Sequence, residues 1–174
     1  MQDILSLAPP PPDARIPYGP DPNQFGDLRL PKSNGPPPLV VNIHGGFWRA
    51  RYDLAHAGHL CAALATAGFA SWNLEYRRVG NPGGGWPGSF EDVTHGFQFL
   101  PQIAAKYRLD LKRVIVMGHS AGGQLALVLA AHQPSLRGVI SLAGAVDMRR
   151  VHELKLSNDA AGEFLGGSDR KSVV

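Results

Sequence analysis

The sequence predicts an α/β fold, a doubly wound, mostly parallel sheet with helices on both faces, on the strength of three observations. Apolar runs rich in β-branched residues, LVVNI (residues 39–43) and VIVMG (114–118), have the composition of strands buried on both sides. Segments of helical spacing alternate with such runs, which is the pattern of a parallel sheet joined by crossover helices. A chain of 174 residues, 44% apolar and 18% charged, buries about 70% of its unfolded surface around one core, so a single domain suffices.

The elements follow in chain order. Residues 1–24 carry Pro9 to Pro12, Pro17, Pro20 and Pro22, a composition that favours extended polyproline geometry and builds no core; they read as a tail or surface strap before a domain spanning 25–174. FGDLRLP (25–31) alternates at strand spacing, and SNGPPP after it is a turn. LVVNI is a buried strand ending at HGG. Asp53 can cap a helix carrying Leu54, Cys61, Leu64 and Ala65 that ends at Gly68. FASWNLEY (69–76) is the next strand, and NPGGGWPG is a loop. Ser89 and Asp92 form a capping-box variant that opens one helix to about Tyr107. VIVMG is a strand, residues 121–132 a helix stopped before Pro134, and GVISLAG (138–144) a strand. LSNDAAGEFLGG reads as one short helix ending at Gly166 or Gly167, and SDRKSVV as surface coil.

Composition narrows the function classes. The net charge of +3 is mild, and the basic residues fall in scattered pairs rather than on one face, so nucleic-acid binding is not expected. No apolar stretch approaches the roughly 20 residues that span a bilayer, and MQDILSLAPPPP lacks the features of a secretory signal; no membrane partner is expected, and the cytoplasm is the default compartment. Cys61 is the single cysteine and packs as a small hydrophobe on a helix. His56 and His59 stand three apart, but no third ligand joins them at fitting spacing; no metal or organic cofactor is implied.

Chemistry concentrates in GHSAGG, residues 118–123. Gly118, Ser120 and Gly122 match G-x-S-x-G between a strand and a helix, which sets the Ser120 hydroxyl on a sharp elbow as a candidate nucleophile. Glycines flank it because side chains there would strike the neighbouring strand and helix. The helix that follows points its first N–H groups at charge developing on a bound carbonyl oxygen. HGGFW (44–48) ends the strand LVVNI, and N–H groups near Gly45, Gly46 and Phe47 can face the same oxygen as the N–H of Ala121, forming an oxyanion hole. His44 reads as a residue that orients this loop by hydrogen bonding. Phe47, Trp48 and Trp86 fit either an apolar acyl pocket or core packing.

HGGFW, then NLEYRR, a Trp-Pro loop leading into FEDV, and GHSAGG together resemble the α/β-hydrolase superfamily, in its esterase and formamidase branch of hormone-sensitive-lipase-like carboxylesterases and kynurenine-formamidase-like enzymes. The likeness covers about residues 25–150. It implies a serine hydrolase of carboxylic esters or related acyl bonds, with a small-molecule ester or acyl substrate and Ser120 as nucleophile. Gly45, Gly46, Phe47 and Ala121 would surround the oxyanion, and Tyr76, Arg77, Glu91 and Asp92 would give structural support.

The family order is serine, then acid, then histidine on later loops. After Ser120 this chain has one histidine, His152, too close to the preceding strand to lie on a later one; it reads as a surface residue, and the catalytic histidine is unassigned. Asp147 occupies the position of a possible acid, with turn capping as the simpler role. His119 adjoins the nucleophile, and neighbours on a tight elbow diverge. His95 and His132 read as helix-surface residues. Three accounts stay open. The chain is the amino-terminal part of a hydrolase whose last strands lie elsewhere; it is a catalytically silent ligand-binding module; or a homo-oligomer mate or other partner completes the site and covers the apolar edge left by GVISLAG.

Overall fold

A computed structural model describes residues 7–134 and 136–166. The expected coil SDRKSVV lies outside the described residues. Six strands form one sheet: β1 (Ala14–Pro17), β2 (Phe25–Arg29), β3 (Pro38–Ile43), β4 (Ala70–Leu74), β5 (Asp110–His119) and β6 (Gly138–Leu142), in the order β1-β2-β4-β3-β5-β6. The run β4-β3-β5-β6 is parallel, while β2 lies antiparallel to β4 and β1 to β2. The helices are α1 (Gly58–Thr66), α2 (Gly88–Gln98), α3 (Leu100–Tyr107), α4 (Ala121–Ala131), α5 (Met148–Glu153) and α6 (Leu156–Leu165), with a 3₁₀ turn at Leu54–Ala57.

Consecutive residues of β3 from Leu39 to Ile43, and all of β4, are buried, so side chains that alternate in direction are covered on both faces. The core runs from Leu28, Val41, Trp72 and Leu74 through Val116 to Leu125 and Leu129. Gly26 and Gly96 leave room for it: a Cβ at either would lie 2.5 Å from Trp72 or Leu74 respectively. One buried polar pair bridges two central strands of the sheet. Asn42 and Asn73 are register partners, and Asn42 Nδ2 donates to Asn73 Oδ1 at 2.7 Å.

Four details differ from the sequence reading. The proline-rich opening contains β1, a half-buried four-residue strand at the sheet edge, where Pro17 costs no interior hydrogen bond. Ser89 and Asp92 do not cap α2, which starts one residue earlier with Pro87 as its N-cap. Instead Ser89 Oγ donates to Arg77 O at 2.6 Å, and both Asp92 oxygens accept from the Arg77 guanidinium, fastening the chain after β4 to the helix. The expected single helix to Tyr107 is two, divided at Phe99 because Pro101 supplies no N–H for the continuing ladder. Finally, α5 precedes the one expected carboxyl-terminal helix. The span expected to be that helix is α6, but it is broken at Ser157, Asn158 and Asp159, whose φ of 51°, 54° and 60° are left-handed; it ends at Gly166 with φ 84°, the left-handed C-cap that glycine adopts readily.

β6 is an outer strand among the described residues, and Ile140 and Leu142 on it are 41% and 40% exposed. No described helix is long and apolar enough to cross a membrane.

Candidate active site

Ser120 sits on the single-residue turn from β5 into α4 with φ 53° and ψ −117°, a conformation an L-residue adopts only under constraint. Its backbone is pinned on three sides. Ser120 N donates to Leu142 O at 2.9 Å, and Ser120 O accepts from Ala145 N at 3.1 Å and Gln124 N at 3.2 Å. The turn is possible because its neighbours lack side chains. A Cβ at Gly118 would lie 2.1 Å from Gly122 O, and one at Gly122 would lie 2.1 Å from Ile43 O. The hydroxyl-bearing residue is half-buried, so it is reachable from solvent.

The loop after β3 packs directly on this elbow: a Cβ at Gly45 would lie 3.3 Å from Ser120 Cβ. Gly46, Phe47 and Trp48 follow with φ of 114°, 55° and 55°, and the two non-glycine residues each store of the order of 1–2 kcal/mol of backbone strain. Within the described residues, the N–H groups of Gly46 and Phe47 have no hydrogen-bond acceptor. The first intrahelical amide of α4 is that of Gln124, which leaves the N–H of Ala121, at the buried start of the helix, without a helical acceptor. Trp48 Nε1 donates to Gln124 Oε1 at 3.3 Å and ties the loop to the helix.

The candidate oxyanion loop is held from behind by the segment after β4. His44 is buried; its Nδ1 donates to Gly45 O at 2.7 Å, its Nε2 lies 3.0 Å from Glu75 Oε1, and its ring stacks on Tyr76 with centroids 4.6 Å apart. Tyr76 Oη donates to His44 O at 2.8 Å. Arg78 pairs with Glu75 and donates to Tyr52 O at 2.6 Å. Burial alone would raise the Glu75 carboxyl, but the hydrogen bond from His44 and the charges of His44 and Arg78 outweigh it and hold the group below the ordinary carboxylate range. His56 meets His44 edge-on at 5.6 Å; burial, reinforced by the charge of His44, pushes its imidazole below its usual value.

Of the other residues singled out in the sequence, Trp48 is core, fully buried and stacked on Phe164 at 4.8 Å, while Phe47 and Trp86 are half-buried. Asp147 caps α5, accepting from Arg150 N at 2.9 Å. His152 is at the surface as expected, its side chain 43% exposed, and it is paired there: its Nδ1 lies 2.6 Å from Asp159 Oδ1, and this bond lowers the Asp159 pKa. Cys61 is buried on α1, and that burial raises its thiol to about 11. All seven histidines of the chain fall within the described residues, and none hydrogen-bonds to Ser120 Oγ. Among the described residues no group of three or more His, Cys, Asp or Glu is arranged to hold a metal ion. Glu75 escaped the sequence reading. Its signal was an acidic residue directly after the buried strand ASWNL, a position where an unpaired carboxylate would be costly.

Comparison with known proteins agrees with this architecture. The BD-FAE family model matches residues 27–171. A probable isoprenylcysteine alpha-carbonyl methylesterase of Arabidopsis thaliana is 33% identical over 119 residues, 68% of this chain and 24% of the relative. Neutral cholesterol ester hydrolase 1 of Rattus norvegicus is 38% identical over 116 residues, 60% of this chain and 28% of the relative. The solved hyperthermophilic esterase of Pyrobaculum calidifontis superposes with a TM-score of 0.65 at 25% identity, covering 71% of this chain and 42% of that one. The chain thus spans about a quarter of the length of the two curated relatives. Matched from the second strand of its sheet through its last described helix, the chain belongs to the BD-FAE family and has the α/β-hydrolase fold.

Proposed function

We propose that this chain carries the nucleophile and oxyanion half of a serine esterase acting on carboxylic esters. Ser120 is the nucleophile, and the N–H groups of Gly46, Phe47 and Ala121 form the oxyanion hole with Gly45 as its close-packed floor. The observation that supports it most is the contact of two loops from different strands: the elbow at Ser120 and the HGGFW loop, with Gly45 against Ser120 Cβ. Relatives named as a methylesterase and a cholesterol ester hydrolase fit the same bond class.

In this reading Ser120 Oγ attacks the ester carbonyl carbon as its proton passes to a base. The carbonyl oxygen becomes an oxyanion facing the free amides, and the alkoxide leaves with a proton. Water then attacks the acyl-serine and releases the acid. Fixed amides aimed at the developing charge stabilise the tetrahedral state more than the planar ester; losing one such donor costs about 10²–10³ in rate.

A non-catalytic ligand-binding module is the second reading, favoured by the one observation that no histidine of the chain bonds to Ser120 Oγ. One experiment separates the two. The chain and Ser120→Ala are given an activated aryl ester such as p-nitrophenyl butyrate, with and without imidazole to serve as an external base. The esterase reading expects little turnover alone and imidazole-dependent cleavage in the wild type above the Ser120→Ala rate. Equal rates in the two proteins, with saturable ester binding in both, would favour the binding module.

A further inference from the structure

We infer that Glu75 is the positioning residue of the oxyanion loop, acting on it through His44 and Leu54; the inference rests on the reading of Ser120 given above. Glu75 touches neither Ser120 nor the free amides. Its side chain is buried, and four donors converge on it: His44 Nε2 and Tyr76 N on Oε1, each at 3.0 Å, the Arg78 guanidinium, and Leu54 N on Oε2 at 3.0 Å. His44 opens the loop and Leu54 begins the 3₁₀ turn that closes it. One carboxylate therefore holds both ends of residues 44–54. Asn73 adds to the clamp by donating to Leu54 O at 3.0 Å, and the loop middle is bridged to Val79, with Ala50 N donating to Val79 O at 2.9 Å and Val79 N to Trp48 O at 2.8 Å.

The loop needs such a hold. Three consecutive residues at positive φ do not keep that conformation unaided, and in the proposed oxyanion hole the amides of Gly46 and Phe47 hold their places only while the flanks are fixed. An ionised carboxylate is suited to this hub because it only accepts, with room for about four donors. The amide of glutamine replaces one oxygen with an NH₂ group, which would then face either the Leu54 N–H or the donors on Oε1. Geometry of the free amides governs the tetrahedral state more than ester binding, so disturbing Glu75 falls on kcat rather than KM.

The test compares wild type, Glu75→Gln and Ser120→Ala in the full chain by two readouts: amide hydrogen exchange followed by mass spectrometry, and imidazole-supported cleavage of p-nitrophenyl butyrate. For Glu75→Gln the expected result is faster exchange in residues 44–54 with β3 and β5 unchanged, and kcat lower by about tenfold or more with KM within about twofold. Unchanged exchange in the loop, or a loss of rate carried by KM alone, overturns the inference. Should Glu75→Gln fail to fold, Glu75→Asp, which keeps the charge but withdraws it by one methylene, about 1.5 Å, is read by the same two measurements. If the wild type shows no Ser120-dependent cleavage, the esterase reading fails, and the exchange measurement alone then decides whether Glu75 clamps the loop.

Discussion

Gly45 and Ser120 touch across two loops that are 75 residues apart in sequence: a methyl group on Gly45 would lie 3.3 Å from Ser120 Cβ and 2.7 Å from the carbonyl oxygen of His119. The second contact is with backbone, which has little room to yield. Gly45→Ala therefore pushes the HGGFW loop away from the elbow. We expect a folded protein destabilised by about 1–3 kcal/mol in urea unfolding, with imidazole-supported ester cleavage reduced by about 10². Wild-type cleavage in Gly45→Ala would show that the loop position is irrelevant to the reaction.

Gly122→Ala should be worse, because its Cβ would meet Ile43 O at 2.1 Å and His44 O at 2.5 Å, both backbone atoms. Loss of about 3 kcal/mol or more is expected. Gly35 has nothing within 4 Å and an ordinary φ, so Gly35→Ala should be neutral or gain a few tenths of a kcal/mol through the unfolded chain. Urea titration of the three proteins side by side checks the order, and equal midpoints for Gly122→Ala and Gly35→Ala would refute the close-packing explanation of the elbow.

Phe164 joins α6 to the core beneath the oxyanion loop, 1% exposed and stacked on Trp48. Phe164→Ala empties that place and should cost about 3–5 kcal/mol. A loss under 1 kcal/mol by thermal or urea denaturation would mean that α6 is not packed as described.

Acid sensitivity should follow Glu75. Its folded pKa is held below the unfolded value of 4.5, so its contribution to stability is complete above about pH 4.5 and is lost as pH falls through the folded pKa. Unfolding free energy measured from pH 6 downward should decline more in the wild type than in Glu75→Gln once pH passes below about 4.5. Parallel curves would remove Glu75 from the acid response.

Much of this site was readable because its determinants are local. The elbow needs only a strand, three small residues and a helix in succession, and VIVMGHSAGGQLALVLAA spells them in order. The HGGFW loop announces itself in the same way, as glycines ending a buried strand. What escaped depends on partners distant in sequence. Glu75 meets His44 across 31 residues, and no periodicity encodes that meeting. Ser89 has the look of a cap, but tertiary contact with the Arg77 carbonyl overrides it. The strand β1 was hidden because four residues, alternately half-buried and exposed and ending in proline, carry too little pattern to stand out from a strap. The pairing of His152 with Asp159, seven residues on, was not legible because the two meet only through the break between α5 and α6.

Among the described residues β6 is an outer strand of the sheet, and it presents Ile140 and Leu142 to solvent. Such an edge favours pairing with another chain. Sedimentation velocity of the chain should show association that grows with concentration, and Ile140→Lys with Leu142→Lys should suppress it while leaving the circular dichroism unchanged. A monomer at every concentration would contradict this.

The convergence of two loops on one oxygen is tested most directly by a crystal structure of the chain after reaction with a p-nitrophenyl phosphonate, whose tetrahedral phosphorus imitates the ester in mid-reaction. The expected result is phosphorus bonded to Ser120 Oγ, with its free oxygen about 3 Å from the nitrogen of Ala121 and from that of Gly46 or Phe47. A phosphonyl oxygen turned to solvent and beyond reach of both loops would contradict it.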